Sequence, residues 1–379
     1  MNQKLHILFL CGWYPSRVAP TNGDFIQRHA KAISSKHKVS VLHIISDKNS
    51  IKNIEIDFQE INGIATYIAY VKISKNPITK LIRFYNAYKQ ILRKIEPINN
   101  VHLNTLFPFG IFALHLKWFK KIPFIISEHW SGYNKPHSKN ISFLKKMISK
   151  IITKNAAFVC PVSNSLKESM LNFGLKGNYK AIPNVVNTKL FHPTNKKEKQ
   201  FTVLHVSGMD DEPKNISGML NTAKKLEKII GSFTWKFIGG SSNKFKPLIK
   251  KLNFKQATIK FEEHISHQKL VTHMQSAHLF VMFSNYENLP CVILESISCG
   301  TPIISTNVGG IYEYFQNDFG YLIEKQNETQ LLEKIHYIYK NSEVNSQKMH
   351  LYAIKHFSEE TVSNEFSKLY CKSHINRRN

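Results

Sequence analysis

The sequence predicts an α/β protein built from two doubly wound parallel sheets, one in each of two domains. The chain has 379 residues, more than one hydrophobic core usually serves. Short apolar runs alternate with longer stretches in which apolar residues recur at helical spacing, a pattern typical of parallel strands joined by helices. The alternation is interrupted at the polar, charged segment 193–199 and then starts again.

In the first half, the apolar runs predict strands, and two helices stand out between them. One helix covers Phe25–Ser34, and the other covers Pro77–Ile95, where apolar residues recur every three or four positions. The first apolar run resembles a short signal peptide, but no small-residue cleavage site follows it, so we expect a buried strand. The predicted strands are Leu5–Leu10, Val39–Ile45, Ile64–Val71, Val101–Leu103, Phe124–Ser127 and Ala157–Val162.

The second half repeats this pattern with shorter helices. We therefore expect an N-terminal domain over residues 1–195, a second domain over 196–355, and a C-terminal helix over 356–379 that packs back on the first domain. The helical pattern of the last part begins at about Thr329. The predicted strands are Phe201–Val206, Trp235–Ile238, Thr258–Phe261, Leu279–Phe283 and Pro302–Ser305, and the helices between them are Gly218–Ile230, Phe245–Leu252, Gln268–Ser276 and Pro290–Ser298.

Composition favours a globular protein without a membrane span or a disulfide framework. Hydrophobic residues make up 42% of the chain and charged residues 21%, and no apolar run reaches the ~18–20 residues that cross a bilayer. The five cysteines are scattered and form no Cys-x-x-Cys pair, so a zinc ribbon or redox dithiol is not expected. These features indicate a reduced, cytoplasmic protein.

The strong positive charge has two explanations. The 52 Lys and Arg residues oppose 26 Asp and Glu residues, which leaves a net charge of +26. Such a chain attracts polyanions such as nucleic acid, anionic lipid or phosphorylated substrates. A composition rich in Lys, Asn and Ile also arises from the coding bias of an AT-rich genome. No helix-turn-helix, zinc finger or ribonucleoprotein motif supports nucleic acid as a partner.

Residues directly after the predicted strands are the candidates for a site, because parallel sheets bind ligands outside the carboxyl ends of their strands. Gly23 precedes a helix, where a glycine lets backbone N–H groups approach an anion. His129 follows strand 124–127, and Lys214 follows strand 201–206 at a helix start. The alternatives are a plain loop glycine, a structural histidine and a solvated lysine. Four other histidines lie in or beside apolar runs and are expected to be structural: His6, His43, His205 and His278.

Two acids eight positions apart form the most informative feature of the chain. Glu287 lies in a turn-rich loop after strand 279–283, and Glu295 lies in the helix that follows. Eight helical residues rise ~12 Å, farther than the ~5–9.5 Å between the acids of a glycosidase. Carboxylates that accept hydroxyl groups of a ribose and a sugar fit the spacing better. A capping acid with a surface acid is the structural alternative.

The segment 284–313 resembles the signature of retaining glycosyltransferase family four, also described as glycosyl transferases group one. The family pattern is a Ser and a Glu, a second Glu after seven residues, Cys-Gly-x-Pro, and Gly-Gly with a Glu. This chain has Ser284, Glu287, Glu295, Cys299-Gly300-Thr301-Pro302, Gly309-Gly310 and Glu313. Further matches in the family's order are Tyr14-Pro15-Ser16 with Gly23, Glu128-His129, Val162-Ser163, Pro183-Asn184, Phe191 and Pro193.

The resemblance implies a GT-B fold, in which two Rossmann-like domains face each other across a cleft. It also implies transfer of a hexose, with retention, from a nucleotide sugar to a glycan or lipid-linked acceptor, without a metal or cofactor. The implied catalytic residues are Lys214, which would neutralise the diphosphate leaving group, Glu287 near the donor sugar, and His129 facing it. Glu295 would hold the ribose. The implied donor-binding set also includes Gly23, Gly208, Asn288, Leu289, Pro290, Cys291 and Val292.

One departure from the family pattern concerns the cationic clamp on the diphosphate. The family usually has an Arg five positions before the Lys, and this chain has Met209 there. The next three residues are acids, so Arg17 or Lys244 is the expected replacement if the clamp is complete. Asn288-Leu289-Pro290 also stands where a glycine and an aromatic residue are common.

Two basic, amphipathic segments suggest where the protein meets its acceptor. In Ile141–Lys154, apolar residues share one face and lysines line the other, and the segment Lys72 to Glu96 is also basic. Such helices dock on anionic membranes, although ordinary packing against a core is the alternative. We expect a peripheral enzyme on the inner face of the cytoplasmic membrane that serves polysaccharide or lipopolysaccharide synthesis. A sugar-nucleotide epimerase, a non-catalytic donor-binding protein and a polyanion-binding protein are the rivals.

Overall fold

The computed structural model describes residues 4–134, 138, 141–341 and 344–378, with side chains up to residue 375. These residues form two compact units. The first runs up to Val185 and includes the chain from Glu359 onward, and the second is Val186–Ser358. The sequence-based boundaries are residues 195 and 355, so the first border falls earlier in the chain and the second slightly later.

Among the described residues of the first unit, seven strands form one sheet, in the order β3-β4-β2-β1-β5-β6-β7. All neighbours are parallel except β3, which runs antiparallel to β4 at the edge. The strands are β1 (His6–Cys11), β2 (Lys38–Asp47), β3 (Ile54–Ile61), β4 (Ile64–Lys72), β5 (Asn100–Asn104), β6 (Phe124–Glu128) and β7 (Phe158–Pro161), and the helices are α1 (Asp24–Ser34), α2 (Pro77–Ile95), α3 (Gly110–Lys120), α4 (Phe143–Asn155) and α5 (Asn164–Asn172).

The described part of the second unit contains a six-stranded, fully parallel sheet in the order β10-β9-β8-β11-β12-β13. Its strands are β8 (Thr202–Val206), β9 (Thr234–Ile238), β10 (Thr258–Glu262), β11 (Leu279–Met282), β12 (Ile303–Thr306) and β13 (Gly320–Ile323). Its helices are α6 (Asp211–Lys214), α7 (Ile216–Ile230), α8 (Lys246–Leu252), α9 (His267–Ser276), α10 (Cys291–Cys299), α11 (Glu328–Lys340) and α12 (Ser346–Phe357).

The last helix, α13 (Glu359–Arg378), belongs to the first unit. Its apolar residues Val362, Phe366, Leu369 and Tyr370 are buried in the same core as β1 and α1. Its polar side chains also reach the sheet, because the Tyr370 hydroxyl lies 2.6 Å from Nδ1 of His102 in β5. The two ends of the second unit lie side by side, since the N–H of Val186 donates to the carbonyl of Phe357 at 2.9 Å.

Every strand that the sequence predicts is present, and two further strands were not predicted. β3 is an edge strand whose residues are half-buried or exposed and include three acids, so it lacks the apolar run on which the prediction depended. β13 has four residues and starts with a glycine. Among the described residues, no helix combines the length and the apolar character needed to cross a membrane.

Candidate functional site

The strand order of the second sheet defines where its loops converge. β8 lies between β9, the next strand along the chain, and β11, the third strand after β8. The order in which strands are added therefore switches from one side of β8 to the other between β10 and β11. Ligands of open α/β sheets bind outside the carboxyl ends of the strands at such a switch point. Lys214 follows β8 and Glu287 follows β11, so both belong to this edge of the sheet.

Lys214 and Glu287 form an ion pair at this switch point. Nζ of Lys214 lies 2.5 Å from Oε1 of Glu287, and the two side chains are 22% and 10% exposed. The hydroxyl of Ser284 donates to the same carboxylate oxygen at 2.8 Å. The sequence indicated these residues separately, and the fold brings together an acid and a base that are 73 positions apart.

Neighbouring loops hold the Glu287 loop on both sides. The N–H of Asn285 donates to the carbonyl of Pro213 at 2.8 Å, which ties the loop to the segment that carries Lys214. On the other side, the N–H of Gly310 donates to the carbonyl of Asn288 at 2.7 Å. Gly309 has a φ of +61°, and a Cβ there would lie 2.2 Å from the carbonyl oxygen of Glu287. Only glycine fits this contact, which gives Gly309-Gly310 a supporting role that the sequence did not reveal.

Helix α10 begins directly after this loop and carries the second acid. Pro290 occupies the N-cap position and Cys291 is the first helical residue, so the positive end of the helix dipole lies beside the Glu287 loop. The predicted positions of Glu287 in a loop and Glu295 in a helix are confirmed. Glu295 is 1% exposed, so the alternative of a surface acid is wrong. Leu289 is also buried, whereas Asn288, Pro290, Cys291 and Val292 are partly buried.

Met209 does not present its side chain to solvent at this edge. It is 3% exposed and belongs to the core of the second unit. It packs against Gly240, where an added Cβ would lie 2.8 Å from its Cγ, and its φ of +55° is rare for a residue with a side chain. The neighbouring Gly208 differs, because it is exposed and an added Cβ would have no atom within 4 Å.

A chain of hydrogen bonds fixes the backbone at Met209. Its N–H donates to Oγ of Ser207 at 3.2 Å, and that hydroxyl lies 2.8 Å from Nε2 of His205. Nδ1 of His205 lies 2.8 Å from the carbonyl of Val281, which can only accept, so Nδ1 carries the proton and Nε2 accepts from Ser207. Burial lowers the pKa of His205 to about 4, which keeps the imidazole neutral.

The two cations named as replacements for the missing arginine differ in their surroundings. Arg17, in the first unit, pairs with Asp47 at 2.9 Å and Glu55 at 2.7 Å, and its guanidinium lies 3.7 Å from the centre of the Tyr70 ring. Lys244, in the second unit, is 72% exposed and lies 3.3 Å from Asp210, next to Met209. Lys244 therefore lies near the loop that follows β8.

In the first unit, Gly23 has a conformation that a side chain would strain. It caps α1 with a φ of +79°, and a Cβ there would lie 2.6 Å from the backbone carbon of Trp13. The glycine is therefore explained by packing within the β1–α1 loop.

Glu128 is the last residue of β6 and His129 follows it, and their side chains make different contacts. Glu128 is buried and accepts hydrogen bonds from the N–H groups of His129 and Trp130 at 2.9 Å and of Leu106 at 3.0 Å, so it joins the loops after β5 and β6. His129 is partly buried, with its ring 4.5 Å from that of Phe25. Burial lowers the pKa of His129 well below its ordinary range, so the ring is neutral near pH 7.

The geometry of the two units identifies the class of protein. Two Rossmann-like units with parallel sheets constitute the GT-B fold of glycosyltransferases. Sucrose-phosphate synthase of Thermosynechococcus elongatus shares it with a TM-score of 0.78 and 19% identity, over 98% of this chain and 100% of that one. The HepE protein of Anabaena, solved with UDP-glucose, gives a TM-score of 0.75 and 14% identity, over 97% and 100% of the two chains.

Sequence comparison identifies the family within this class. The model of Glycosyltransferase Family 4 matches residues 25–190, and that of Glycosyl transferases group 1 matches residues 186–356. The two models match adjacent parts of the chain, which therefore belongs to the family 4, group 1 glycosyltransferases. An uncharacterized glycosyltransferase of Methanocaldococcus jannaschii is 26% identical over 341 residues, which are 87% of this chain and 88% of that protein.

Proposed function

We propose that the protein binds a nucleotide-sugar donor at the carboxyl edge of β8 and β11 and transfers the sugar, with retention, to a glycan or lipid-linked acceptor in cell-surface polysaccharide or lipopolysaccharide synthesis. The observation that carries this proposal is the contact of Lys214, Glu287 and Ser284 at the switch point of the second sheet. An acid and a base held together there offer one group for a diphosphate and one for a sugar.

Lys214 is proposed to exchange its carboxylate partner for the diphosphate of the donor. The bond between the anomeric carbon and the diphosphate oxygen breaks, and the ammonium group neutralises the charge that develops on the leaving nucleoside diphosphate. An acceptor hydroxyl then bonds to the same face of the anomeric carbon and gives its proton to the departing diphosphate oxygen. Glu287 lies beside the developing positive charge on the sugar, and Ser284 keeps its carboxylate oriented.

The remaining donor contacts are assigned to α10 and to the glycine loops. The backbone from Asn288 to Val292, at the positive end of α10, is proposed to hold donor sugar and phosphate oxygens, with Glu295 on the ribose. Gly208 is proposed to let the nucleotide approach the backbone, because the protein itself leaves that position open. Gly23 and His129 are the proposed contributions of the first unit.

Transfer is proposed to need no metal. The test is donor turnover with and without a strong chelator, followed by addition of Mg²⁺ or Mn²⁺. Unchanged turnover is the expected result, and restoration by an added divalent ion after chelation would contradict it.

The donor is tested by a thermal-shift screen of UDP-, GDP- and ADP-sugars, beginning with UDP-glucose because HepE was solved with it. A true donor at ~100 times its dissociation constant adds ~2.7 kcal/mol of stability. Lys214→Ala should abolish this stabilisation, whereas Lys251→Ala, an exposed lysine on α8, should keep it. Equal stabilisation of both variants would remove Lys214 from the donor site, and proton NMR of the product anomer tests retention.

The burial of Met209 favours a second candidate, a protein that binds the donor without efficient transfer. Met209, a core residue, replaces the usual arginine. Lys214 is therefore the cation proposed to neutralise the leaving diphosphate, and Lys244 is proposed to assist it. Donor binding without release of nucleoside diphosphate, in the presence of acceptor lipid extracts, would support this candidate. Release of free nucleotide in the absence of any acceptor would instead indicate an epimerase of the same fold.

Peripheral attachment to an anionic membrane is proposed from the side chains that α4 leaves in solvent. Phe143 is 82% exposed and Leu144 60%, whereas Ile152 is the apolar residue of this helix that is buried. Lys145 and Lys150 are exposed beside them. Most of the predicted apolar face therefore does not pack on the core, and apolar side chains among lysines are the pattern of helices that lie in a membrane interface.

A further inference from the structure

Helix α6, which carries Lys214, is a single turn, and its last carbonyl groups need partners from elsewhere. The final hydrogen bond of the turn runs from the N–H of Asn215 to the carbonyl of Asp211 at 2.7 Å. The carbonyls of Glu212 and Pro213 follow that bond, and the last carbonyls of a helix have no partner within it. These two groups lie directly before Lys214, so whatever binds them fixes the backbone of that residue.

Asn285, in the loop after β11, donates to both of these carbonyls. Its backbone N–H donates to Pro213 at 2.8 Å, and Nδ2 of its side chain donates to Glu212 at 2.6 Å. Because a carbonyl only accepts, the nitrogen of the side-chain amide must face Glu212. The end of α6 is therefore held by a residue 70 or more positions later in the chain, two positions before Glu287.

The other contacts of this segment do not replace Asn285. The Asp211 carboxylate accepts from the N–H and the hydroxyl of Ser217 at 2.8 and 2.7 Å, which fixes the beginning of α6 to α7. The Lys214 side chain pairs with Glu287. In the proposed function, a diphosphate takes the place of this carboxylate. The hydrogen bonds of Asn285 do not involve the lysine side chain, so they persist when the ion pair opens.

We propose that Asn285 is a positioning residue, which keeps Lys214 at the donor diphosphate by holding the last carbonyls of α6. The inference rests on the proposed function, since it concerns the cation proposed to neutralise the leaving group. The position of this cation matters more here because Met209, a core residue, stands in place of the usual arginine. The sequence pattern did not indicate Asn285.

The test compares UDP with uridine, which lacks the diphosphate, by isothermal titration calorimetry on the full-length protein. If the donor screen selects another base, the corresponding GDP or ADP pair is used. Asn285→Ala removes the bond to Glu212 and should weaken UDP about three- to tenfold, the value of one hydrogen bond, without changing uridine. Asn341→Ala, which removes a 3.2 Å amide bond to the Tyr337 carbonyl on α11, should leave both ligands unchanged.

A double-mutant cycle distinguishes positioning from a general loss of structure. In a Lys214→Ala background, Asn285→Ala should cause no further loss of UDP affinity, because Asn285 acts through the lysine. A further loss of the same size would overturn the positioning role and leave the transferase proposal intact. Unchanged UDP affinity in the single Asn285 variant, or an equal loss for UDP and uridine, would have the same consequence.

Two further outcomes are defined in advance. If Lys214→Ala keeps the full preference for UDP over uridine, the proposed role of that lysine fails, and the inference about Asn285 fails with it. If Asn285→Ala does not fold, Asn285→Leu makes the same comparison, because leucine has a similar size and branching and removes the Nδ2 donor without adding charge.

Discussion

The carboxylate of Glu287 serves two neighbours at once, because Lys214 and Ser284 both reach Oε1. In the unliganded protein, the carboxylate offsets the charge of the lysine and limits the rotamers that either side chain can adopt. In the proposed donor complex, where a diphosphate takes the lysine, Ser284 would keep its hydrogen bond to Glu287. The hydroxyl would then be the contact that orients the carboxylate.

Glu287→Gln should lower the turnover number about a hundredfold or more while the protein remains folded. The amide keeps the shape of the side chain and can still accept from Ser284, but it cannot stabilise positive charge on the sugar. The measurement is kcat with the donor found by screening, with Glu333→Gln, an exposed acid on α11, as the matched control. Unchanged kcat in the Glu287 variant would move catalysis elsewhere.

Two glycines should respond to alanine in opposite ways. Gly23→Ala should lower the stability of the unliganded protein by at least about 1–2 kcal/mol, because of its positive φ and its contact with Trp13. Gly208→Ala should leave that stability unchanged, since its Cβ meets no atom, and should weaken donor binding. Thermal unfolding with and without the donor measures both effects. Weakened stability without donor in Gly208→Ala, or normal donor binding, would contradict this assignment.

At the scale of elements, each sheet has a histidine that ties two adjacent strands through a neutral ring. His43 joins β2 to β1 through the Cys11 carbonyl, and His205 joins β8 to β11 through the Val281 carbonyl. Burial lowers the pKa of each ring to about 4. Both hydrogen bonds join a neutral imidazole to a carbonyl in central strands. Protonation of the two imidazoles would therefore lower the stability of both units.

Stability should therefore fall as the pH is lowered from about 6.5 towards 4. In this range the unfolded imidazoles, with an ordinary pKa of 6.5, bind protons that the folded rings do not, which favours the unfolded chain. Each ring contributes a slope approaching about 1.4 kcal/mol per pH unit, and the full contribution is present above pH 6.5. Thermal unfolding at a series of pH values measures it, and a flat transition temperature between pH 7 and pH 5 would contradict the buried neutral rings.

The elements that the sequence predicted are those with a strong apolar signal. Buried strands such as β1 and β8 consist mostly of apolar residues, and the helices between the strands have clear periodicity. β3 was missed because an exposed edge strand lacks that signal. Periodicity also cannot say what covers an apolar face, so the exposure of α4 required the tertiary structure.

At the candidate site, the sequence indicated residues but not their contacts. Glu287 and Lys214 were named from their places after strands, yet their pairing depends on β8 and β11 being neighbours. The burial of Met209 depends on Gly240, which approaches from the loop after β9.

At the scale of the whole molecule, the net charge of +26 and the exposed apolar side chains of α4 should act together on membranes. The protein should bind vesicles that contain anionic phospholipid at low salt and dissociate as salt is raised, because each lysine near the surface contributes ~1 kcal/mol and is screened. Vesicle co-sedimentation measures this binding.

Replacing both Phe143 and Leu144 by Ser should weaken vesicle binding, whereas Ile229→Ser should not, because Ile229 lies in the second unit. Binding that depends on charge alone would be equal in these two variants. If the unmodified protein does not co-sediment with anionic vesicles at low salt, membrane attachment is excluded under these conditions.

The placement of α13 in the first unit also has a consequence for biosynthesis. The ribosome makes Val362, Phe366 and Tyr370 after all of the second unit, yet these side chains complete the core around β1. The segment Val186–Ser358 emerges whole, with its two ends hydrogen-bonded to each other, and has all of its own strands. Nascent chains should therefore finish the second unit first, and the N-terminal sheet stays incomplete on one face until α13 has been made.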